Sequence, residues 1–221
     1  QPSFLAVGFN GTSDAADGAT AGPHGVALRG DSLFVADTNH HRVIAFDTTT
    51  RRPVRIIGQP NDTLALANAG AAASDRTLKA PRGVALVGDR LAVADTGNHR
   101  VLLFDLAAPT ASATLALGQA TMTAVEPNAG ATPGLGTLNA PQGACTDGAA
   151  LFVADTGNHR VLGWRAVPSV DGAPADVVLG QPDGVAVLSN RGGEPTNATL
   201  ALPASCAFVR GALYVADTGN N

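Results

Sequence analysis

The chain has 221 residues, of which 45% are hydrophobic, 4% aromatic and 14% charged. Its 26 glycines and 14 prolines suit many short strands joined by turns and argue against a helical bundle. The formal net charge is −4 and Lys79 is the only lysine, so the basic face of a nucleic-acid-binding protein is missing and no nucleic-acid partner is expected. No apolar run has the length of a membrane-spanning helix, so no membrane insertion is expected.

The chain opens on a strand predicted from Leu5 to Phe9, and a repeated segment then follows. The sequence Leu-Phe-Val-Ala-Asp-Thr at positions 33–38 returns, with small changes, at 91–96, 151–156 and 213–218. The spacings between the aspartates are 58, 60 and 62 residues. Because the spacing grows in steps of two, the variable part is interpreted as a hairpin loop, in which a one-residue slip would turn every side chain to the wrong face.

Four strands are predicted in each repeat from alternating side chains and turn residues. In the second repeat they cover residues 83–87, 91–94, 100–104 and 113–117, with a polar turn at 95–99. A linker of about 20 residues follows, rich in Ala, Gly, Asn and Pro, and it has the same landmarks in each copy. These landmarks indicate an ordered, packed segment, and the Ala-rich copy near residues 65–73 is compatible with a helical turn.

Repetition of four short antiparallel strands predicts an all-β fold, a β-propeller of four-stranded blades. An aromatic residue nine positions after the aspartate supports this architecture, since one large side chain per blade would fill the space between neighbouring sheets. These aromatic residues are Phe46, Phe104 and Trp164. A parallel β-helix is the alternative, but its coils are usually much shorter than this repeat.

The repeat resembles a known family. Pro-x-Gly-Val-Ala, as at residues 81–85, and Leu-Phe-Val-Ala-Asp-Thr-Gly-Asn-His-Arg-Val-Leu, at residues 151–162, are similar to the NHL repeat. The linkers, with Leu-Gly-Gln-Pro and then Asn-x-Gly, resemble a long-blade bacterial version of it. The resemblance implies a propeller, most often of six blades, that serves as a binding platform for varied partners and only occasionally as an enzyme.

About 15 strands, or about 3.5 blades, are predicted in this chain. Residues 1–22 are interpreted as the end of a preceding blade and its linker. Blades are predicted at 23–80, 81–140 and 141–202, and the start of a further blade at 203–221. A six-bladed ring would need more residues than are present here, so further blades from the same or another chain are expected, and a segment of a longer protein is favoured.

The polar turn after each aspartate has two interpretations. Its side chains could form a ring of functional groups on one rim of the propeller. The favoured interpretation is structural: the aspartate caps the turn through its own side chain, Gly97 and Gly157 supply positive φ, and the arginine pairs back to the aspartate. The residues of this structural turn motif are Asp37, Arg42, Asp95, Asn98, Arg100, Asp155, Asn158, Arg160 and Asp217.

No catalytic, cofactor-binding or metal-ligating residue is assigned, and no cofactor is expected. NHL-like amidating lyases use histidines from several blades around zinc, but the inner strands here carry only His24, beside Pro23. The remaining histidines, His40, His41, His99 and His159, lie in the polar turns. The two glutamates, Glu126 and Glu194, lie in linkers, which does not fit a calcium site in the channel.

Cys145 and Cys206 fall on the predicted inner strands of adjacent blades, one register position apart. Neighbouring positions on a strand face opposite sides, so the two side chains can enter the same gap between blades. A disulfide there is geometrically reasonable and would indicate an oxidising compartment. The alternative is a pair of small buried thiols.

The favoured function is a non-enzymatic propeller module of a secreted or cell-surface bacterial protein, located outside the cell or in the periplasm. It would bind a protein or glycan through a loop-bearing face, because the linkers vary in sequence between fixed landmarks. The alternative is a lyase or hydrolase with a metal site in the central channel, completed by blades outside this chain.

Overall fold

Each repeat folds into a small antiparallel sheet, because short runs of Val, Ala and Leu alternate with turns that contain Gly, Asp and Asn. We analysed a computed structural model, which describes residues 18–221. Fourteen strands in these residues form four sheets, each with its strands in chain order. The strand predicted from Leu5 to Phe9 lies outside the described residues.

The four sheets are here called blades 1 to 4. Blade 1 contains β1 (Pro23–Arg29), β2 (Ser32–Asp37), β3 (Arg42–Asp47) and β4 (Pro53–Ile57). Blade 2 contains β5 (Val84–Val87), β6 (Arg90–Asp95), β7 (Arg100–Asp105) and β8 (Ala113–Leu117). Blade 3 contains β9 (Gly143–Thr146), β10 (Leu151–Asp155), β11 (Arg160–Trp164) and β12 (Val177–Leu179). Blade 4 contains β13 (Pro203–Val209) and β14 (Ala212–Asp217).

The described helical segments are all short 3₁₀ helices. Three of them connect the second and third strands of a blade, at Thr38–His40, Thr96–Asn98 and Thr156–Asn158. The other three lie in the linkers, at Ala67–Gly70, Pro127–Gly130 and Ser189–Gly192. No helix of membrane-spanning length and hydropathy occurs within residues 18–221.

This architecture is the predicted all-β propeller of four-stranded blades. Two apolar clusters fill the gaps between blades 1 and 2 and between blades 2 and 3. Phe104 and Trp164 occupy these gaps almost completely buried, and the Trp164 indole donates a hydrogen bond to the Ala173 carbonyl at 3.0 Å. Each sheet lies within one of the predicted units, although the division of the linkers between blades stays a prediction.

The innermost strands of the blades, β1, β5, β9 and β13, pack side by side. A glycine two residues after the proline permits this close approach. A Cβ atom on Gly83 would lie 2.7 Å from the Gln142 carbonyl oxygen, and one on Gly143 would lie 2.7 Å from the Ser205 Cα. The Pro-x-Gly motif therefore sets the spacing of the inner strands around the axis.

Apolar side chains are exposed on the outer faces of the first and last blades. Val26 and Leu28 on β1 are each 63% exposed, and Tyr214 on β14 is 62% exposed. The position equivalent to Val26 in blade 2 is Val84, which packs in the apolar cluster between blades 1 and 2 and is 6% exposed. Val26 thus occupies a position that is buried in blade 2.

Candidate functional site: the turn and linker face

The aspartate that ends the second strand is the centre of a buried polar cluster in each blade. In blade 2, Asp95 Oδ1 accepts the backbone N–H of Lys79 at 2.6 Å, and Oδ2 accepts the Asn98 amide at 2.8 Å and Arg100 Nε at 2.7 Å. Asp95 and Arg100 are both fully buried. Burial raises the pKa of the Asp95 carboxyl, whereas Arg100 and the hydrogen bonds oppose that change.

The arginine of the same cluster holds the linkers on both sides of its blade. Arg100 Nη2 donates to the carbonyls of Ser74 and Thr77, in the linker before blade 2, at 3.0 and 2.9 Å. Its Nη1 donates to the Met122 carbonyl, in the linker after that blade. A single buried guanidinium therefore ties two long segments to the end of the sheet, which explains why the linkers have regular structure.

The cluster recurs in the other blades. In blade 3, Asp155 accepts Asn158 at 2.8 Å and Arg160 Nε at 2.7 Å, and burial again raises the aspartate pKa. In blade 1, Asp37 is bound by Arg42 Nε at 2.8 Å and by His40 Nδ1 at 2.9 Å. In blade 4, Asp217 Oδ1 accepts the Ala201 N–H at 2.7 Å and Oδ2 accepts Asn220 at 2.6 Å.

Two details of the predicted turn were wrong. The Asp95 carboxylate does not cap its own turn by a hydrogen bond to the backbone, because it reaches the linker amide of Lys79 instead. Gly97 and Gly157 do not have positive φ. Glycine is needed at these positions because a larger residue has no space. A Cβ on Gly97 would lie 2.8 Å from the Lys79 carbonyl oxygen, and one on Gly157 would lie 2.7 Å from the Asn139 carbonyl oxygen.

Histidines supply the left-handed residue of the turn. His41, His99 and His159 have φ of 56°, 54° and 54°. Their Nδ1 atoms accept, at 2.9 to 3.0 Å, the backbone N–H of the residue just before the proline of the next repeat; these donors are Ala80, Ala140 and Leu202. Burial lowers the pKa of all three imidazoles, in agreement with an acceptor Nδ1 that must be unprotonated.

These lowered pKa values make the fold sensitive to acid. Because the folded-state pKa values lie below the ordinary histidine value of 6.5, the unfolded chain binds more protons around that pH. We therefore expect the free energy of unfolding to fall as the pH is lowered through 6.5. A triple variant tests this expectation by changing His41, His99 and His159 to Asn. Asparagine tolerates left-handed φ but has no titrating group. Denaturant titrations at several pH values should give a shallower pH dependence for this variant, and equal slopes for the two proteins would contradict the assignment.

Side-chain amides form further links that the sequence analysis missed. Asn68 in a linker and Asn98 in the next blade's turn exchange reciprocal hydrogen bonds at 3.2 and 2.8 Å. Gln119 Nε2 donates to the carbonyls of His99 and Glu126 at 3.1 and 2.8 Å. The repeated spacing of Asn and Gln in the linkers is the sequence signal that could have shown them.

The linkers have the same backbone conformation in each copy, and some of their exposed side chains differ between copies. The residue before the linker 3₁₀ helix is Leu66, Glu126 or Leu188, and all three are exposed. Leu66 is 56% exposed and Leu188 is 64% exposed. These linkers lie against the turns that contain the aspartates, so they form one surface, here called the linker face.

The two cysteines form a disulfide between blade 3 and blade 4. Cys145 on β9 and Cys206 on β13 are bonded, with their Cα atoms 5.7 Å apart and a sequence separation of 61. The bond joins adjacent inner strands, as the register of the two cysteines indicated. The interpretation as two free thiols is therefore wrong.

A cavity of about 370 Å³ lies between the inner strands of all four blades. His24, the histidine predicted on an inner strand, lines this cavity. His40 and His41 lie in the blade 1 turn instead. No group of three or more His, Cys, Asp or Glu side chains in residues 18–221 is arranged to hold a metal ion.

The comparisons with known proteins agree with this arrangement. The family model for the NHL repeat matches residues 20–46 and 78–104, which cover most of the first three strands of blades 1 and 2. These two segments are NHL repeats. A curated NHL-repeat relative, NHL repeat-containing protein 2 of Gallus gallus, is 38% identical over 77 residues. The match covers 34% of this chain and 9% of the chicken protein, so the chain spans a small part of that relative's length.

Solved structures share the propeller fold of these NHL repeats. The computationally designed Ika4 protein is 7% identical, with a TM-score of 0.51 and coverage of 97% of this chain and 92% of that one. A chain of a nidogen/laminin complex is 17% identical, with a TM-score of 0.52 and coverage of 90% and 56%. Streptogramin B lyase is 11% identical, with a TM-score of 0.50 and coverage of 96% and 51%. At these identities, the likeness concerns the fold alone.

Proposed function

We propose that this chain is a propeller scaffold that binds a protein or a glycan through its linker face. The observation that carries the proposal is the contrast between constant and varied positions on that face. The buried Asp95–Arg100 cluster is repeated in the other complete blades with little change, whereas one equivalent exposed position over it is Leu66 or Leu188 in two linkers and Glu126 in the third. Such a surface supplies different contacts on a rigid framework, which is how recognition loops are usually built.

The exposed side chains of the linker face suit contact with a macromolecule. Leu66 and Leu188 present apolar surface, and Glu126 presents a charge at the equivalent position. Large apolar side chains surrounded by polar ones are typical of sites for protein association. Because the arginines already fix the linkers, binding would require little ordering of the backbone, and this would favour affinity.

The disulfide supports a location outside the reducing cytoplasm. Structural disulfides persist in extracellular, periplasmic and cell-surface proteins. The Cys145–Cys206 bond joins two blades and so belongs to the framework of the fold. We infer that the chain works in a secreted or surface-exposed protein.

The alternative of a metal-dependent lyase or hydrolase finds less support. Its site would lie in the cavity between the inner strands, where His24 is the one described histidine and no described lining residue is acidic. A catalytic metal usually needs three protein ligands. Such a function would therefore depend on residues contributed by blades beyond this chain.

The test uses binding of the full chain to a glycan array and to a panel of purified bacterial surface proteins. We expect the wild-type chain to bind at least one of these probes. Changing Leu66, Glu126 and Leu188 together to Ser should weaken that binding by about tenfold or more, the size expected for loss of central contacts. The far-ultraviolet circular dichroism spectrum should stay unchanged, because these side chains are exposed.

The matched control removes exposed apolar side chains away from the linkers. Val54 and Val170 are 59% and 62% exposed, and changing both to Ser should leave the binding as it is in the wild type. Equal loss in the two variants would contradict the linker face as the binding surface. A folded wild-type chain that binds neither glycans nor proteins would contradict the proposed function.

A further inference from the structure

One inner-strand position differs in every blade although the positions around it are nearly constant. It follows the proline that begins each repeat, and in blades 1 to 3 it precedes the glycine that allows the inner strands to pack closely, whereas in blade 4 it precedes Ser205. The four residues at this position are His24, Arg82, Gln142 and Ala204. A framework position would be expected to keep one residue type, as the buried aspartates do, so this variation points to a site built from different side chains of successive blades.

The side chains at this position line one cavity. The cavity between the inner strands has a volume of about 370 Å³, and His24, Arg82 and Gln142 all line it, together with Ser205. This volume is in the range of small-molecule sites. The described lining residues include an arginine and a histidine but no aspartate or glutamate, although the chain as a whole has a net charge of −4.

Arg82 has N–H groups in this cavity that are not used in hydrogen bonds to the described residues. Its Nη1 donates to Gln142 Oε1 at 2.8 Å, which orients the guanidinium. Among residues 18–221 this is the one hydrogen bond of its side chain, and the arginine forms no ion pair with them. By contrast, Arg42, Arg100 and Arg160 are fully buried against aspartates. The half-buried Arg82 guanidinium thus faces the cavity with a fixed orientation, and no described side chain supplies it with a counter-charge.

His24 and Ser205 add two further polar groups. His24 Nδ1 lies 2.9 Å from the Gly22 carbonyl oxygen, which can only accept, so Nδ1 carries a hydrogen. The same nitrogen lies 3.0 Å from Thr38 Oγ1, so the imidazole is oriented by the turn of blade 1. The hydroxyl of Ser205, exposed on β13, is also part of the lining.

We propose that this cavity is a binding site for a carboxylate group. The Arg82 guanidinium supplies the positive charge and a planar pair of donors, a geometry that matches the two oxygens of a carboxylate. Gln142 holds the guanidinium in place, and the Ser205 hydroxyl provides an additional donor. The carboxylate belongs either to a small free acid or to an acidic side chain of a bound polypeptide.

This site is independent of the linker face. It lies between the inner strands, and its residues are different from those that vary on the linkers. Failure of partner binding to the linker face would leave the cavity unaffected, and loss of the cavity would not remove the exposed linker side chains.

Nuclear magnetic resonance titration of the full chain tests the proposal, with succinate, the uncharged analogue succinamide and a hexaglutamate peptide as probes. We expect succinate to shift the Arg82 side-chain resonance and the backbone amides of Gly83 and Gly143, and succinamide to cause no such shift. The Arg82→Ala variant should bind succinate and hexaglutamate at least about tenfold more weakly, as expected when a charged hydrogen bond is lost. Arg52→Ala, an exposed arginine outside the cavity, should bind as the wild type does.

A second variant covers the case in which Arg82→Ala does not fold. Gln142→Glu keeps the shape of the glutamine and places a carboxylate next to the guanidinium, so it should weaken succinate binding by a similar factor while the chain stays folded. Tighter binding of hexaglutamate than of succinate would assign the site to an acidic polypeptide segment, and equal binding to a small free acid. Binding that is unchanged in Gln142→Glu, or a folded wild-type chain that binds neither carboxylate probe, would overturn the proposal.

Discussion

Replacing Arg100 with Met is expected to lower the free energy of unfolding by about 3–5 kcal/mol, the size seen when one partner of a buried ion pair is removed. The change leaves the buried Asp95 carboxylate without its cation. It also removes the donor that binds the linker carbonyls of Ser74, Thr77 and Met122. Urea denaturation followed by tryptophan fluorescence gives the measurement, because Trp164 is buried between blades.

The matched control is an arginine in an exposed ion pair. Arg29 Nη2 contacts Asp89 Oδ1 at 2.5 Å, and both side chains are well exposed. Arg29→Met should therefore change the free energy of unfolding by at most about 1 kcal/mol. If Arg100→Met were as mild as Arg29→Met, the buried clusters would not organise the blades.

Removing the disulfide by changing both Cys145 and Cys206 to Ala is expected to lower the free energy of unfolding by about 4 kcal/mol, the loop-closure value for a bond that spans about 60 residues. The effect arises mainly in the unfolded chain, which gains conformational freedom when the bond is absent. Blade 4 has two strands in the part of the chain that the structure describes, so we expect its amides to lose protection from hydrogen exchange before those of blades 1 and 2.

Reduction of the wild-type chain provides the internal control. Dithiothreitol should lower the stability of the wild type to about that of the Cys145→Ala/Cys206→Ala variant and should leave the variant unchanged. A wild type with the same stability in oxidising and reducing buffer would show that the bond does not constrain the fold.

The strands could be predicted closely from the sequence, because each blade is a local meander whose pairing is set by alternation and short turns. The predicted strand at 113–117 is β8 itself, and the predicted strand at 100–104 is one residue shorter than β7. The pairing of Cys145 with Cys206 followed from register, since the inner strands of adjacent blades are equivalent. Repetition made these predictions easier, because each feature was visible several times.

The arginine–aspartate pairs of the polar turns were predicted correctly. The contacts between these turns and the linkers could not be predicted, because they join residues that are distant in sequence. Lys79 meets Asp95 across 16 residues and Ser74 meets Arg100 across 26, and no local pattern indicates either contact. The mistaken role of Gly97 has a similar cause: glycine usually suggests positive φ, but here the tertiary contact with Lys79 requires its small size. The left-handed residue is His99, whose imidazole gains an acceptor contact with the next blade.

The candidate binding positions became visible only when constant and varied residues were placed in the structure. Leu66 and Glu126 occupy equivalent exposed places, and Arg82 and Gln142 occupy equivalent places in the cavity. In the sequence they are ordinary linker and strand residues. Their grouping depends on how the blades stack around the axis.

Buried arginines make the long linkers part of the rigid framework, and hydrogen–deuterium exchange tests this role most directly. The amides of Asn68, Lys79 and Gly97 donate to Leu78, Asp95 and Lys79 respectively. They should exchange about as slowly as strand amides in the wild type, and at least about tenfold faster in Arg100→Met. Linker amides that exchange freely in the wild type while the strands stay protected would contradict the account.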